Sequence, residues 1–240
     1  MPGLRLLSYN VAGRRGDLAA QAELVRAVAP DVAVVQEAPR RWGWRQRCAA
    51  LASSWGLVVA AGGMPAVGNL ILASLRVQVE RTWYARFPLT PGRHLRAAVF
   101  ARCRVGEATL VVAGAHLATD PAERPRQAAL LRGLLDEVTV PVVLGADLND
   151  EPGSATWQAL TGRLVDAAVD AATAAGAPPV PTFPRAGRRI DAILTDPRLT
   201  VSGYRVVDSP LARRASDHLP VVADLSVPAG GGGQDRAGAK

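Results

Sequence analysis

Asn10, Gln36 with Glu37, Asn69, His116, Asp147 with Asn149, Asp191 and the run Ser216-Asp217-His218 each stand at the end of an apolar stretch in this 240-residue chain. Strand ends feed loops, where a rigid sheet can aim side chains into a common cleft. The residue types converge on one chemistry. Hard carboxylate oxygens such as those of Glu37 and Asp217 suit Mg²⁺ or Mn²⁺, which keep waters that a substrate phosphate can displace. His116 and His218, two of the three histidines, add groups that exchange protons near neutral pH. Zinc fits less well, because the chain has no helical HExxH and no close pair of histidines. Taken singly, each residue reads better as a helix cap, a solvated carboxylate or a hydrogen-bonded core histidine. Their repetition carries the reading.

Apolar patterning must supply the elements that hold these residues. It predicts strands over 4–9, 32–35, 57–60, 70–73, 77–85, 97–104, 109–115, 142–145, 190–194, 204–207 and 220–226. Helical spacing runs over 18–28, where Pro30 stops it, over 45–55, and over 126–138, with Pro125 suited to a first turn. Ser154 can cap a short helix through 160, and the Ala- and Pro-rich stretch 167–181 reads as an exposed loop. Many strands and few helices predict packed sheets covered by helices, with 77–85, 97–104 and 109–115 as consecutive antiparallel neighbours. The uncharged stretch 55–75 is long enough to span a bilayer, but Gly56, Gly62, Gly63, Pro65, Gly68 and Asn69 break it into two short buried strands.

Composition bounds the rest. A hydrophobic fraction of 49% and a charged fraction of 20% argue for one folded domain over 1–227, followed by a disordered Gly/Ala-rich tail over 228–240. The net charge of +7 rests on arginine, since Lys240 is the only lysine, and guanidinium forks fit phosphate oxygens in pairs. Cys48 and Cys103 lie far apart without CxxC spacing and read as reduced, buried thiols. Met1-Pro2-Gly3-Leu4-Arg5 opens no charged-then-apolar secretory pattern, so a cytoplasmic location is expected. No protein partner is inferred.

The ordered set Leu7-Ser8-Tyr9-Asn10, Val35-Gln36-Glu37, Gly68-Asn69, Ala115-His116-Leu117, Gly145-Ala146-Asp147-Leu148-Asn149, Arg189-Ile190-Asp191 and Ser216-Asp217-His218-Leu219-Pro220 resembles the motif series of the endonuclease/exonuclease/phosphatase superfamily. The resemblance covers residue 4 to about 226. It implies an α/β/β/α sandwich of the DNase I-like type, with two mostly antiparallel sheets face to face and helices outside both. It also implies a Mg²⁺-dependent phosphoesterase, with Mn²⁺ as a possible substitute. Glu37 would be the principal metal ligand, helped by Asn10 and Asp217. Asp147 would orient or deprotonate the attacking water with Asn149 assisting. His218, buttressed by Asp191, would donate to a phosphoryl oxygen, and His116 would contact the phosphate or assist the leaving oxygen.

The superfamily spans nucleases, abasic-site endonucleases, sphingomyelinases and inositol polyphosphate phosphatases, so the fold leaves the substrate open. Ala12 stands where abasic-site enzymes often carry Asp or Asn, and Pro181-Thr182-Phe183-Pro184 lacks the lysine of the inositol phosphatases' Pro-Thr-Tyr-Lys. A phosphodiester substrate, nucleic acid among the candidates, is the expected partner. The alternatives are a lipid or sugar-phosphate phosphoesterase and a non-catalytic binding module that keeps the fold. Asn69, Arg96 and Arg189 are the expected substrate contacts, within an arginine ring that also draws on Arg93, Arg185, Arg188, Arg213 and Arg214.

Overall fold

A computed structural model describes residues 1–170 and 180–228. Two six-stranded sheets pack face to face. In chain order the strands are β1 Gly3–Asn10, β2 Val32–Gln36, β3 Val58–Gly63, β4 Asn69–Ala73, β5 Gln78–Arg86, β6 Ala97–Val105, β7 Ala108–His116, β8 Val142–Asp147, β9 Val165–Asp166, β10 Asp191–Thr195, β11 Thr200–Val206 and β12 Val221–Ser226. One sheet has the order β11-β12-β1-β2-β4-β3 and the other β5-β6-β7-β8-β10-β9. Among the described residues only the β1–β2 and β7–β8 pairs are parallel.

Side-chain alternation explains the layering. Leu4 and Leu6 of β1, with Val32 and Val34 of β2, face the second sheet and join Val99, Val112 and Ile193 in the central core. Leu7, Tyr9, Ala33 and Val35 point the other way, onto helices α1 (Leu18–Val28) and α2 (Trp44–Trp55). On the far side, Val111, Ala113 and Leu144 meet Leu131, Leu135 and Trp157 of α3 (Arg124–Asp136) and α4 (Ala155–Thr161). The α/β/β/α sandwich expected from the sequence is therefore present, and β5, β6 and β7 form the expected antiparallel run.

The structure corrects several local expectations. The strand over 57–60 is not buried, because β3 lies at a sheet edge with Val58 and Val59 47% and 43% exposed. The two-residue strand β9 and the helix α5 (Pro210–Ala215) were not foreseen, since neither is long enough to show a period. Ser209 caps α5 by accepting from the Ala212 amide, and Gln21 of α1 donates to the Ala215 carbonyl, so α5 delivers Ser216-Asp217-His218 at a fixed place. The expected exposed loop over 167–181 begins as helix at 167–170, with Ala167 and Ala168 buried, while its residues 171–179 and the expected tail beyond Pro228 lie outside the described residues. Among those described, no helix is long and apolar enough to cross a membrane. Cys48 and Cys103 are buried and unbridged.

Two glycines set the spacing of the sheets beside the site. Gly114 and Gly145 are register partners on β7 and β8, two residues before His116 and Asp147. A Cβ on Gly114 would stand 2.6 Å from Val34 Cγ1, and one on Gly145 would stand 3.0 Å from Val34 Cβ. Val34 is β-branched and fully buried, so it has little freedom to move aside. Gly114→Ala is therefore expected to destabilise the fold by about 1–3 kcal/mol through overpacking, read as a lower denaturation midpoint.

Candidate active site

Three neighbouring strands bring three reactive groups into one row. The β7–β8 register sets His116 opposite Asp147, and the β8–β10 register sets Asp147 opposite Asp191. The other sheet ends at the same edge with Asn10 beside Gln36. Asn10 then crosses the sandwich, its Nδ2 donating to Asp147 Oδ2 at 2.8 Å. Its Oδ1 accepts from the Ala12 amide at 2.9 Å, so Asn10, expected on the metal, has its amide group engaged in positioning Asp147.

Asp147 is the hub. Its Oδ1 accepts from the Asn149 backbone N–H at 3.0 Å, and its Oδ2 lies 3.3 Å from His116 Nε2 and 3.9 Å from His218 Nε2. Asn149 donates its side-chain amide to the Leu117 carbonyl, tying the loop after β8 to the end of β7. On the opposite flank His218 Nδ1 meets Asp191 Oδ2 at 2.9 Å. Asn149 and Glu37 both hold left-handed backbone, with φ of 53° and 55°. For residues other than glycine this conformation is strained, and such strain clusters at functional sites.

The two histidines titrate in opposite directions although both flank Asp147. Burial drives His116 down to about 3, against the pull of Asp147 and with help from the positive charges of Arg96, His218 and Arg40. Burial also pushes His218 down, but the charge and hydrogen bond of Asp191, with the further charges of Asp147 and Asp217, outweigh it and raise the group to about 9. At neutral pH a neutral imidazole and an imidazolium therefore stand on either side of one carboxylate.

The cleft above this row encloses about 620 Å³ and is walled by Glu37, His116, Arg15, Arg40, Arg41 and Arg96, among others. Arg96 lines the cleft and is largely buried, with its Nε free of any hydrogen-bond partner. Asn69 is buried but serves the framework, donating to the Ala66 and Ala97 carbonyls at 2.9 Å each. Arg189, expected to contact substrate, is not among the residues that line this cleft. It is 7% exposed, grips Asp166 with both terminal nitrogens at 3.2 and 2.5 Å, and lies 4.6 Å over the Trp157 ring. Four other arginines of the expected ring are paired as well: Arg188 with Glu151, Arg213 with Asp208, Arg214 with Asp17 and Arg93 with Asp120.

The sequence profile of the Endonuclease/Exonuclease/phosphatase family matches residues 7–218. The chain belongs to that family. Solved structures with the same fold include an endonuclease/exonuclease/phosphatase from Beutenbergia cavernae, 24% identical over 95% of this chain and 72% of that one, with a TM-score of 0.70. D. rerio TDP2 complexed with single strand DNA product is 18% identical over 95% of this chain and 100% of that one, with a TM-score of 0.78. A mannosyl-6-phosphatase of Bacteroides thetaiotaomicron is 17% identical over 93% of this chain and 99% of that one, with a TM-score of 0.76. No protein of curated function is significantly similar in sequence.

Endonuclease/exonuclease/phosphatase proteins are phosphoesterases that generally depend on a divalent metal, and two groups of residues here bear on that requirement. Asp147, Asp191 and His218 have ligand atoms within 4.8 Å of one another. Within this trio His218 Nδ1 is already bonded to Asp191 Oδ2 and Asp147 Oδ2 to Asn10 Nδ2, an arrangement that suits the handling of protons. Asp217 is different. Its Oδ1 is buried with no hydrogen-bond partner, an arrangement that a cation would relieve, and Glu37 opens onto the cleft. Carboxylate oxygens such as these fit a hard ion.

Sequence reasoning gave no individual role to several supporting residues of this family member. Thr182 Oγ1 accepts from the Ile190 and Asp191 amides at 3.0 Å, while its carbonyl accepts from Leu219, so one residue braces both sides of the Asp191–His218 pair. Phe183 lies 4.9 Å from the His218 ring. Ser216 Oγ donates to the Asn10 carbonyl at 2.8 Å and receives the His218 amide, linking the last motif to the first. Thr182 and Phe183 were visible in the sequence only as a departure from another branch's motif.

Proposed function

We propose that the chain is a Mg²⁺-dependent hydrolase of phosphodiesters, Mn²⁺ being the natural substitute, in which Asp147 prepares a water for in-line attack on phosphorus. The observation that supports this best is the row of His116, a twice-hydrogen-bonded Asp147 and a His218 paired with Asp191. Asn10 and Asn149 each supply one donor to Asp147, which leaves lone pairs free to accept from a water and fixes its direction. A carboxylate held this way acts as general base or as the orienter of the nucleophile.

His218, kept protonated by Asp191, donates from Nε2 to a phosphoryl oxygen as negative charge grows there, the electrostatic role that usually dominates such reactions. His116 stays neutral, so it can bind phosphate through Nε2–H or steady the departing oxygen without repelling Arg96. Glu37 and Asp217 would hold the metal, which when bound supplies further charge on the phosphoryl oxygens. Fold neighbours that include a DNA-product complex and a mannosyl-6-phosphatase do not choose among substrates.

The assay is hydrolysis of bis-p-nitrophenyl phosphate with and without Mg²⁺, paired with calorimetric titration of Mg²⁺ into wild type and Glu37→Gln. Removing one carboxylate ligand is expected to weaken metal binding by at least about tenfold. Equal Mg²⁺ affinity in both proteins removes Glu37 from the metal site. Absence of hydrolysis by wild type under all metal conditions sinks the diesterase.

A further inference from the structure

The segment that follows Glu37 has a composition of its own. Arg40-Arg41-Trp42-Gly43-Trp44-Arg45-Gln46-Arg47 carries four arginines and two tryptophans, and no acidic residue lies between Glu37 and Glu80. The two tryptophans differ in fate. Trp44 is half-buried, its ring against Gly63, where a Cβ would come within 2.4 Å of it, and the Arg45 guanidinium lies 4.6 Å over that ring. Trp42 is 94% exposed. Gly43 between them has φ of 69°, the left-handed conformation that lets the chain turn sharply before α2.

The arginines of this segment behave unlike the paired ones elsewhere. Arg40, Arg41 and Arg47 line the catalytic cleft, and none of the three is in an ion pair among the described residues. Arg40 is close enough to His116 and Arg96 for its charge to depress the proton affinity of both. Positive charge thus runs from the reacting position out to an isolated aromatic face. Between Leu18 and Val58 Trp42 is the only exposed large hydrophobic residue, so the segment presents one ring rather than the contiguous apolar face that membrane insertion requires.

We infer that residues 40–47 form a subsite for single-stranded nucleic acid, in which a base beside the scissile phosphate stacks on Trp42 while Arg40, Arg41 and Arg47 track the flanking phosphates. The inference rests on the diesterase reading for where the scissile phosphate sits. Stacking needs an unpaired base with a free face, which selects single strands over a duplex. Guanidinium groups without carboxylate partners are free to meet phosphate oxygens.

The test uses the full chain in EDTA, where binding is separated from hydrolysis, and reads the anisotropy of a fluorescein-labelled oligothymidylate. Wild type is expected to bind it more tightly than the same sequence in a duplex. Trp42→Ala is expected to weaken binding about tenfold or more, with Trp42→Phe restoring much of the loss. Arg41→Gln is expected to flatten the dependence of log affinity on log salt by roughly 0.7, one phosphate contact on a single strand. Equal affinity of wild type and Trp42→Ala, or wild-type binding to anionic phospholipid vesicles but not to the oligonucleotide, overturns the subsite. If the preparation hydrolyses bis-p-nitrophenyl phosphate with Mg²⁺ yet binds no oligonucleotide, the subsite fails while the diesterase stands. Trp42-dependent binding without hydrolysis leaves the subsite standing and removes the diesterase.

Discussion

Asp147→Asn is expected to lower kcat for phosphodiester hydrolysis on the order of 10³-fold while leaving KM nearly unchanged, the pattern of a group that acts in the transition state. The substitution removes the acceptor that faces water but keeps the size of the side chain. The single oxygen of the new amide can still receive the Asn149 N–H. Its nitrogen would then oppose the Asn10 Nδ2 that now sits 2.8 Å from Asp147 Oδ2, placing donor against donor. Flipping Asn10 would relieve this at the expense of its bond from the Ala12 amide. A stability loss of about 1 kcal/mol is expected alongside the kinetic one, far too small to mimic it. Steady-state kinetics with a denaturation curve on the same samples separate the two, and a kcat within threefold of wild type would remove Asp147 from the reaction.

Arg189→Ala should have its largest effect on stability, and this is where the sequence reading and the structure part most sharply. Arg189 and Asp166 are both more than nine-tenths buried and joined by two hydrogen bonds. Deleting the cation strands Asp166 in the interior, which typically costs about 3–5 kcal/mol, equivalent to a fall in Tm of roughly 10 °C for a domain of this size. The loss should be largely repaired by Arg189→Met combined with Asp166→Leu, because no unpaired charge then remains. Calorimetric melting of wild type, the single variant and the double variant measures it. A substrate contact would give the opposite result, a raised KM with an unchanged melt.

Much of the fold was legible because its signals are local. Leu4 and Leu6 against Leu7 and Tyr9 announce a strand between two cores, and the spacing over 18–28 matches α1 to the residue. Where the period had no room to develop, in β9 and α5, the sequence was silent. The exposure of β3 was also hidden, since Val58 and Val59 look the same at an edge as in a core.

The candidate site divides the same way. That Glu37, His116, Asp147, Asp191 and His218 share one site was the expectation drawn from their type, order and strand-end position together with the resemblance to the family's motif series. Tertiary structure decided what each can do there. Strand register set His116, Asp147 and Asp191 in a row, and unequal company gave two similarly buried histidines opposite charge states. It also sorted the arginines, burying Arg189 against a partner 23 residues away and leaving Arg41 in the cleft wall. The physical reason is range. Backbone preference and side-chain alternation act over a few residues and are written in the sequence directly, whereas desolvation and charge pairing depend on which distant groups the finished fold brings within a few ångströms.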